Sequence, residues 1–485
     1  MNLKDAGLLQ TRCLIGGQWQ DAGHGKTLAV TNPATGETVA HVPDMGTGET
    51  RRAIAAAEAA RADWAGRTAR QRADILRRWF ALMTEHTDDL AIILSTEQGK
   101  PLAEARGEIA YGASYLAWYA EEALRLYGDI IPGNAPGQRI LVLRQPVGVC
   151  AAITPWNFPC AMIARKAAPA LAAGCTFVVR PASATPLSAL ALGELAQRAG
   201  VPPGVFNVLT GSSRTIGAEL TASNTVKKFS FTGSTETGRL LLAQCASTIK
   251  KVSMELGGNA PFIVFDDADL DAAVSGALAA KFRNAGQTCV CANRIYVQAG
   301  LHDRFVEKLA AAMQQLRVGN GLDEGVTIGP LIDDSAVTKV REHIDDAVAR
   351  GGWLVTGGRP HALGGLFFQP TLVSHVPQTA RVAREETFGP LAPVFRFDTE
   401  EEVIRWANDT EFGLAAYVYT RDLGRSIRLA EALEYGMVAI NSGALSNEAA
   451  PFGGIKQSGL GREGSKYGMD DYVDMKYVLL GGLAG

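Results

Sequence analysis

From Val147 to Glu255 short β-branched runs alternate with helical segments, and this alternation constrains the fold more than any other feature of the chain. The spacing predicts strands at Val147–Thr154, Thr176–Arg180, Val205–Leu209, Lys227–Phe231 and Lys251–Glu255. Helices are expected between them at about 160–173, 186–199, 213–222 and 234–247. Apolar strands joined through helices make a parallel α/β sheet, and such sheets bind ligands beyond the carboxyl ends of their strands. A second α/β series is expected from Pro261 to about Ile440. It takes in Arg294–Gln298, Trp353–Thr356, Ala415–Thr420 and Met437–Asn441, with helices at about 302–317, 335–350 and 423–434.

Outside the two series the pattern differs. Residues 13–42 read as short antiparallel strands around Gly-Gly, Asn-Pro and Thr-Gly turns, and helical periodicity covers 50–64, 69–97 and 102–127. Gln138–Val147 reads as an exposed strand, and the tail from Asp470 to Leu480 alternates in the same way. A long unpaired strand is an edge that a partner must cover, so a subunit contact is expected here, with the tail pairing to 138–147 of a neighbour.

At 485 residues the chain is too long for one core, and about three domains are expected. A net charge of −3 gives no footprint for nucleic acid. Apolar stretches break well short of a bilayer span, and Met-Asn-Leu-Lys-Asp is no secretory leader, so no membrane association is expected. Seven scattered cysteines are odd in number and lack any Cys-x-x-Cys pair. They point to a reducing compartment, the cytoplasm, and against a disulfide framework. No His lies near Cys289 or Cys291, which argues against zinc there.

Cys289, within Lys281–Arg294, has four readings on its own: nucleophile, metal ligand, half of a disulfide, or small core residue. Gly233-Ser-Thr-Glu-Thr-Gly238 follows a strand and opens a helix. It suits a phosphate at a helix N-terminus, or is a Ser-capped helix with glycines for packing. Gly459-Leu-Gly-Arg-Glu-Gly464 spells a dinucleotide fingerprint but lacks a preceding strand and a following βαβ unit, so a turn is expected. Asn157, between two prolines at a strand end, can present its amide to an oxyanion or bond its own turn. Glu255, at another strand end, can act as a general base or be a solvated or salt-bridged carboxylate.

Pro155-Trp-Asn-Phe-Pro159, Phe231-Thr-Gly-Ser234, Glu255-Leu-Gly-Gly258, Gly286-Gln-Thr-Cys289 and Glu385-Glu-Thr-Phe-Gly-Pro390 resemble, in order and spacing, the motifs of aldehyde dehydrogenases. The resemblance covers nearly the whole chain. Within that superfamily it is most similar to the bacterial succinate-semialdehyde dehydrogenases, through Phe282–Arg294 and Pro451–Gly468. The resemblance implies a parallel-sheet cofactor domain (1–127 and 146–256), an α/β catalytic domain (257–458) and a small β oligomerisation arm with tail (128–145 and 459–485). It implies Cys289 as nucleophile, Asn157 as oxyanion donor, Glu255 as base, and no metal. Cofactor contacts fall on Trp156, Asn157, Arg180, Ser183, Gly233, Ser234, Leu256, Glu386 and Phe388.

Many NAD-preferring relatives carry Glu where Ser183 stands, and the family usually has Lys in place of Arg180. NADP is therefore the expected cofactor and NAD the alternative. Arg165, Arg283 and Ser446 match positions that hold a distal carboxylate, which implies succinic semialdehyde as substrate and glutaric semialdehyde as the alternative. Cys291 matches a cysteine that in some relatives closes a redox disulfide with the nucleophile; a packing thiol is the other reading. The arm implies a homo-oligomer, a dimer or tetramer. A retired, non-catalytic enzyme is disfavoured by the joint presence of Cys289, Glu255 and Asn157.

Overall fold

The computed structural model describes residues 1–483 and contains the two expected parallel sheets and a small antiparallel one. The first sheet runs in the order Gly459–Leu460, Lys251–Glu255, Val226–Thr232, Val149–Ile153, Thr176–Arg180, Phe206–Val208, Cys13–Ile15, Gln18–Gln20. Its five middle strands are parallel, and antiparallel strands close both edges. Val149–Ile153 and Thr176–Arg180 are buried along their whole length, as central parallel strands must be when helices cover both faces. The helices fall within a residue or two of expectation, at Ala161–Ala173, Leu187–Arg198, Ser213–Ala222 and Thr235–Ala246.

The second sheet runs Trp353–Thr356, Thr371–Ser374, Leu391–Phe397, Ala292–Gln298, Ala260–Val264, Ala415–Tyr419, Met437–Ile440, parallel except for its first pair. Sequence periodicity misses three of these strands. Ala260–Val264 contains Pro261 and Leu391–Phe397 contains Pro393, residues that read as strand breakers because they donate nothing to the ladder. Thr371–Ser374 is only four residues long. The helices Leu270–Phe282 and Glu400–Asn408 are also absent from the sequence reading, and the helix expected over 69–97 divides at His86 into Ala69–Glu85 and Thr87–Gln98.

One further correction concerns the C-terminal segment. Val473–Leu480 pairs antiparallel with Arg139–Pro146 of the same chain, not of a neighbour, and Asp129–Pro132 adds a third strand on the other side. Gly459–Leu460 pairs with Met254–Glu255 at the edge of the first sheet. The Gly459–Gly464 stretch, expected to be a turn, opens as this short edge strand and then bends, and no βαβ unit follows it among the described residues.

The three-stranded sheet keeps its apolar side chains in water: Ile130 is 76% exposed, Met475 74% and Tyr477 62%. Met475, Tyr477 and Leu479 share one face because strand side chains alternate. A contiguous apolar face of this kind marks an interaction surface. If this face joins copies of the chain, Met475→Lys combined with Tyr477→Lys is expected to lower the sedimentation coefficient. An unchanged coefficient would exclude this face from assembly.

Candidate active site

Strands of the first sheet deliver their last residues to one cleft, a cavity of about 390 Å³ lined by Asn157, Gly233, Glu255, Cys289, Glu386 and Phe388 among others. Ile153 leads into the Pro155–Pro159 loop, Thr232 into Gly233, and Glu255 ends its own strand. Two glycines after Glu255 make the approach of the second domain possible. A Cβ on Gly257 would lie 3.0 Å from Glu386 Oε2, and one on Gly258 2.5 Å from the Cys289 carbonyl oxygen.

Cys289 reaches the cleft on a tightly bent segment. After the helix Leu270–Phe282, residues Asn284, Ala285 and Gly286 all adopt left-handed backbone, with φ of 52°, 54° and 76°. Asn tolerates that region, Ala does so at a cost of order 1–3 kcal/mol, and a Cβ at Gly286 would sit 2.1 Å from the Gly389 carbonyl oxygen. Buried hydrogen bonds hold the bend. Asn284 Nδ2 donates to the carbonyls of Asn157 (3.2 Å) and Gln287 (3.2 Å), and its Oδ1 accepts from Gln98 (3.0 Å).

Asn157 is tied to the same segment. Its Nδ2 donates to the Gln287 carbonyl at 3.1 Å, which leaves the second amide hydrogen for another acceptor. The Asn157 carbonyl accepts from Lys100 Nζ at 2.7 Å, and Lys100 also pairs with Glu108 at 2.6 Å. Glu108 in turn accepts from the backbone of Cys160 and Ala161 at the start of the next helix. Lys100 and Asn284 are functional support that sequence reasoning did not single out.

Glu255 is buried with neither carboxylate oxygen hydrogen-bonded among the described residues. Burial, reinforced by the nearby Glu463 carboxylate, pushes its pKa up to about 8, against opposing pulls from Arg165 and Lys166. The surface-carboxylate reading is therefore excluded. Gly453 makes room for this side chain, since a Cβ there would lie 3.0 Å from Glu255 Oε1. Glu463, in the turn after Leu460, forms buried ion pairs with Arg165 and Lys166. Burial would raise Glu463, but the two cations outweigh it and hold it below the usual carboxylate range. Lys166 also donates to Thr232 Oγ1, which links the pair to the first sheet.

Cys289 is partly accessible, yet the protein packed around it pushes its thiol up to about 12, while Arg165 and Arg283 favour the thiolate. Arg165 is not a free clamp: Glu463 holds its Nε, its guanidinium lies 4.1 Å from the Phe452 ring, and its Nη2 is buried without a partner among the described residues. Arg283 is different. It is half-buried, stacks on Phe158 at 4.6 Å and has no ion pair among the described residues. Ser446 is half-buried in the loop after Met437–Ile440. All seven cysteines are free, and Cys291 Sγ accepts from the buried Lys281 ammonium at 3.3 Å.

A dinucleotide fits the other half of the cleft. Ser234 caps the helix Thr235–Ala246, and Gly233 lines the cleft at the helix start while its other side packs on the Phe231 ring, which a Cβ would strike at 2.4 Å. Gly238 serves packing instead, because a Cβ there would meet Leu256 at 2.3 Å. Glu386 lies over the two glycines, accepting from Gly258 N at 3.0 Å, with burial pushing it up to about 7. Phe388, at φ 58°, meets Trp156 edge to face at 5.6 Å. Arg180 is 6% exposed and faces no carboxylate among the described residues. It donates to Ser183 Oγ at 2.6 Å and to the Gly211 carbonyl at 2.7 Å, and burial pulls its pKa down to about 10.

Two α/β sheets around a thiol, an amide and a dry carboxylate beside a dinucleotide cleft define an enzyme that oxidises through a covalent cysteine. The chain belongs to the aldehyde dehydrogenase family, whose pattern it matches over residues 19–478. It is 65% identical to the glutarate-semialdehyde dehydrogenase of Pseudomonas aeruginosa, covering 100% of both chains. It is 64% identical to the NADP(+) succinate-semialdehyde dehydrogenase GabD of Escherichia coli, over 99% of this chain and 100% of that one. The crystal structure of succinate-semialdehyde dehydrogenase from Burkholderia pseudomallei superposes with a TM-score of 0.98 at 61% identity, over 99% of this chain and 100% of that one. No helix among the described residues is long and apolar enough to cross a membrane.

A carboxyl raised to about 8 is mostly protonated at neutral pH and becomes the carboxylate as pH rises through that value. Hydrolysis of an acyl-enzyme, followed in a single turnover, is expected to climb with pH to a plateau above about 8. Glu463→Gln removes the like charge and leaves Arg165 and Lys166 to act on Glu255, so the rise should move to lower pH. A profile that does not move would sever Glu463 from Glu255.

Proposed function

We propose that this protein oxidises succinic semialdehyde to succinate with NADP, glutaric semialdehyde being the alternative substrate. The observation that carries the reading is the convergence of Cys289, Asn157 and Glu255 on one cavity, with Arg165 and Arg283 acting on the same thiol. The Cys289 thiol gives up its proton to solvent in the cleft, Arg165 and Arg283 favouring the thiolate, and the sulfur adds to the aldehyde carbon to give a thiohemiacetal. Its oxyanion accepts from the free amide hydrogen of Asn157 and the Cys289 backbone N–H. The dinucleotide, when bound, supplies the hydride acceptor. Oxidation leaves a thioester on Cys289; Glu255 then takes a proton from water as the water oxygen attacks the acyl carbon, and Cys289 departs as thiolate.

The distal carboxylate of the substrate is assigned to Arg283, with Arg165 and Ser446 completing its surroundings. An Arg with no ion pair, beside the reacting thiol, is suited to a planar anion. One methylene between succinic and glutaric semialdehyde is worth only about 1–3 kcal/mol in a pocket, which is why both substrates stand. The NADP assignment rests on Arg180 and Ser183. A buried cation without a carboxylate partner, beside a hydroxyl, accommodates a 2′-phosphate that a Glu at 183 would repel. The exposed three-stranded sheet supports a homo-oligomer, and seven free cysteines support a reducing compartment, the cytoplasm.

Arg283→Ala is expected to lower kcat/KM for succinic semialdehyde roughly 10- to 100-fold, the size of one or two hydrogen bonds to charge, and to spare butanal. Equal losses on both aldehydes would remove Arg283 from substrate recognition. Ser183→Glu should raise KM for NADP by about 10- to 100-fold through like-charge repulsion while improving NAD. A wild-type enzyme that strongly prefers NAD would overturn the cofactor assignment. For Cys291, inactivation by peroxide that dithiothreitol reverses should disappear in Cys291→Ala; persistence in the variant would leave Cys291 as a packing thiol held by Lys281.

A further inference from the structure

Parallel α/β sheets hold ligands beyond the carboxyl ends of their strands. The first sheet uses that end for the cleft above. The second sheet meets the cleft from its other end, because Cys289 precedes the strand Ala292–Gln298. At its carboxyl end, His302 and Asp303 follow Ala292–Gln298, and His375 follows Thr371–Ser374. These two strands flank Leu391–Phe397. One nitrogen of each imidazole and one Asp303 oxygen all lie within 4.8 Å of one another.

We propose that His302, Asp303 and His375 form a site for a divalent transition ion of the cobalt, nickel or zinc class. His302 is 1% exposed, and its Nε2 has no partner among the described residues. Its Nδ1 lies 2.8 Å from Asp303 Oδ1. In the metal-free protein these two atoms share one proton; an incoming ion displaces it and is held by His302 Nδ1, Asp303 and a His375 nitrogen, the proton being released. His375 holds a left-handed backbone at φ 53°, which sets its ring edge to face against that of His302 with centroids 4.5 Å apart.

The charged groups around the cluster narrow the ion. Arg396 faces both His302 and Asp303, and Asp398 lies 3.6 Å from Arg396. With a cation so near, magnesium or calcium, which depend on several oxygen ligands, finds little here; imidazole nitrogens favour the later transition ions.

The chain carries its own reporter. Trp353, one of seven tryptophans, is 65% exposed with its ring 4.3 Å from that of His375. The test titrates the full-length enzyme with Co²⁺, Ni²⁺ and, separately, Mg²⁺. Co²⁺ is expected to bind saturably at one ion per chain with visible d–d bands and without the near-ultraviolet charge transfer of a thiolate ligand. Ni²⁺ should quench Trp353 along the same isotherm, a signal absent from Trp353→Phe, and Mg²⁺ should do neither. Asp303→Asn and His375→Asn alter exposed or half-exposed side chains, and Asn accepts the left-handed backbone at 375. Each should weaken binding at least about tenfold while leaving metal-free dehydrogenase activity unchanged. Non-saturable quenching, a thiolate band, or isotherms indifferent to both variants would overturn the site and leave two rings that only pack together.

Discussion

The carbonyl oxygen of Asn157 is the point on which this structure turns. It accepts from Lys100 and from Asn284, while the Asn157 amide donates to Gln287. Three segments remote in sequence are locked there: the turn after the helix ending at Gln98, the proline-flanked loop after the first parallel strand, and the left-handed bend that carries Cys289. All the participating side chains are buried, so each donor must find its acceptor inside the protein or lose the solvation it had in water. Registration of the amide against the thiol is a by-product of satisfying those groups. The bend itself, with a non-glycine left-handed pair, persists because this network over-determines it.

The electrostatics follow the same logic of burial. Glu255 is left without hydrogen bonds, so its charged form is held back until pH approaches the range where a general base works best. Glu463 sits nearby under the opposite arrangement, paired with two cations and kept ionised. Two carboxylates whose surroundings push them apart in this way are suited to different roles, one to exchange a proton and the other to fix charge. The same pairing explains why Arg165 is a weaker candidate for substrate than Arg283. Glu463 already compensates its charge through Nε, whereas Arg283 stacks on an aromatic face and has no ion pair among the described residues.

Much of this was legible in the sequence, and the reasons differ by element. The buried parallel strands ending at Arg180 and Glu255 announce themselves because β-branched runs alternate with helical periods. Strands containing Pro261 and Pro393 do not, since a proline argues against a strand unless its missing donor is tolerated. Cys289, Asn157 and Glu255 are recognised through motifs in register, with no local property of each residue to single it out. Glu463 stood inside a glycine-rich turn whose letters imitated a nucleotide fingerprint, and nothing in the turn signals that its carboxylate is buried against residues 298 and 297 positions away. His302 and His375 lie too far apart in sequence for ligand spacing to be read, and only the sheet brings their rings together.

The central claim is that Cys289 carries the acyl group and Glu255 releases it. Glu255→Gln keeps the shape of the side chain and removes the base, so the acyl-enzyme should accumulate. Mass spectrometry of this variant, quenched after mixing with succinic semialdehyde and NADP, should find a succinyl adduct on the peptide containing Cys289, formed in step with one equivalent of NADPH. NADPH formed with no adduct on that peptide, or an adduct on another residue, would contradict the account.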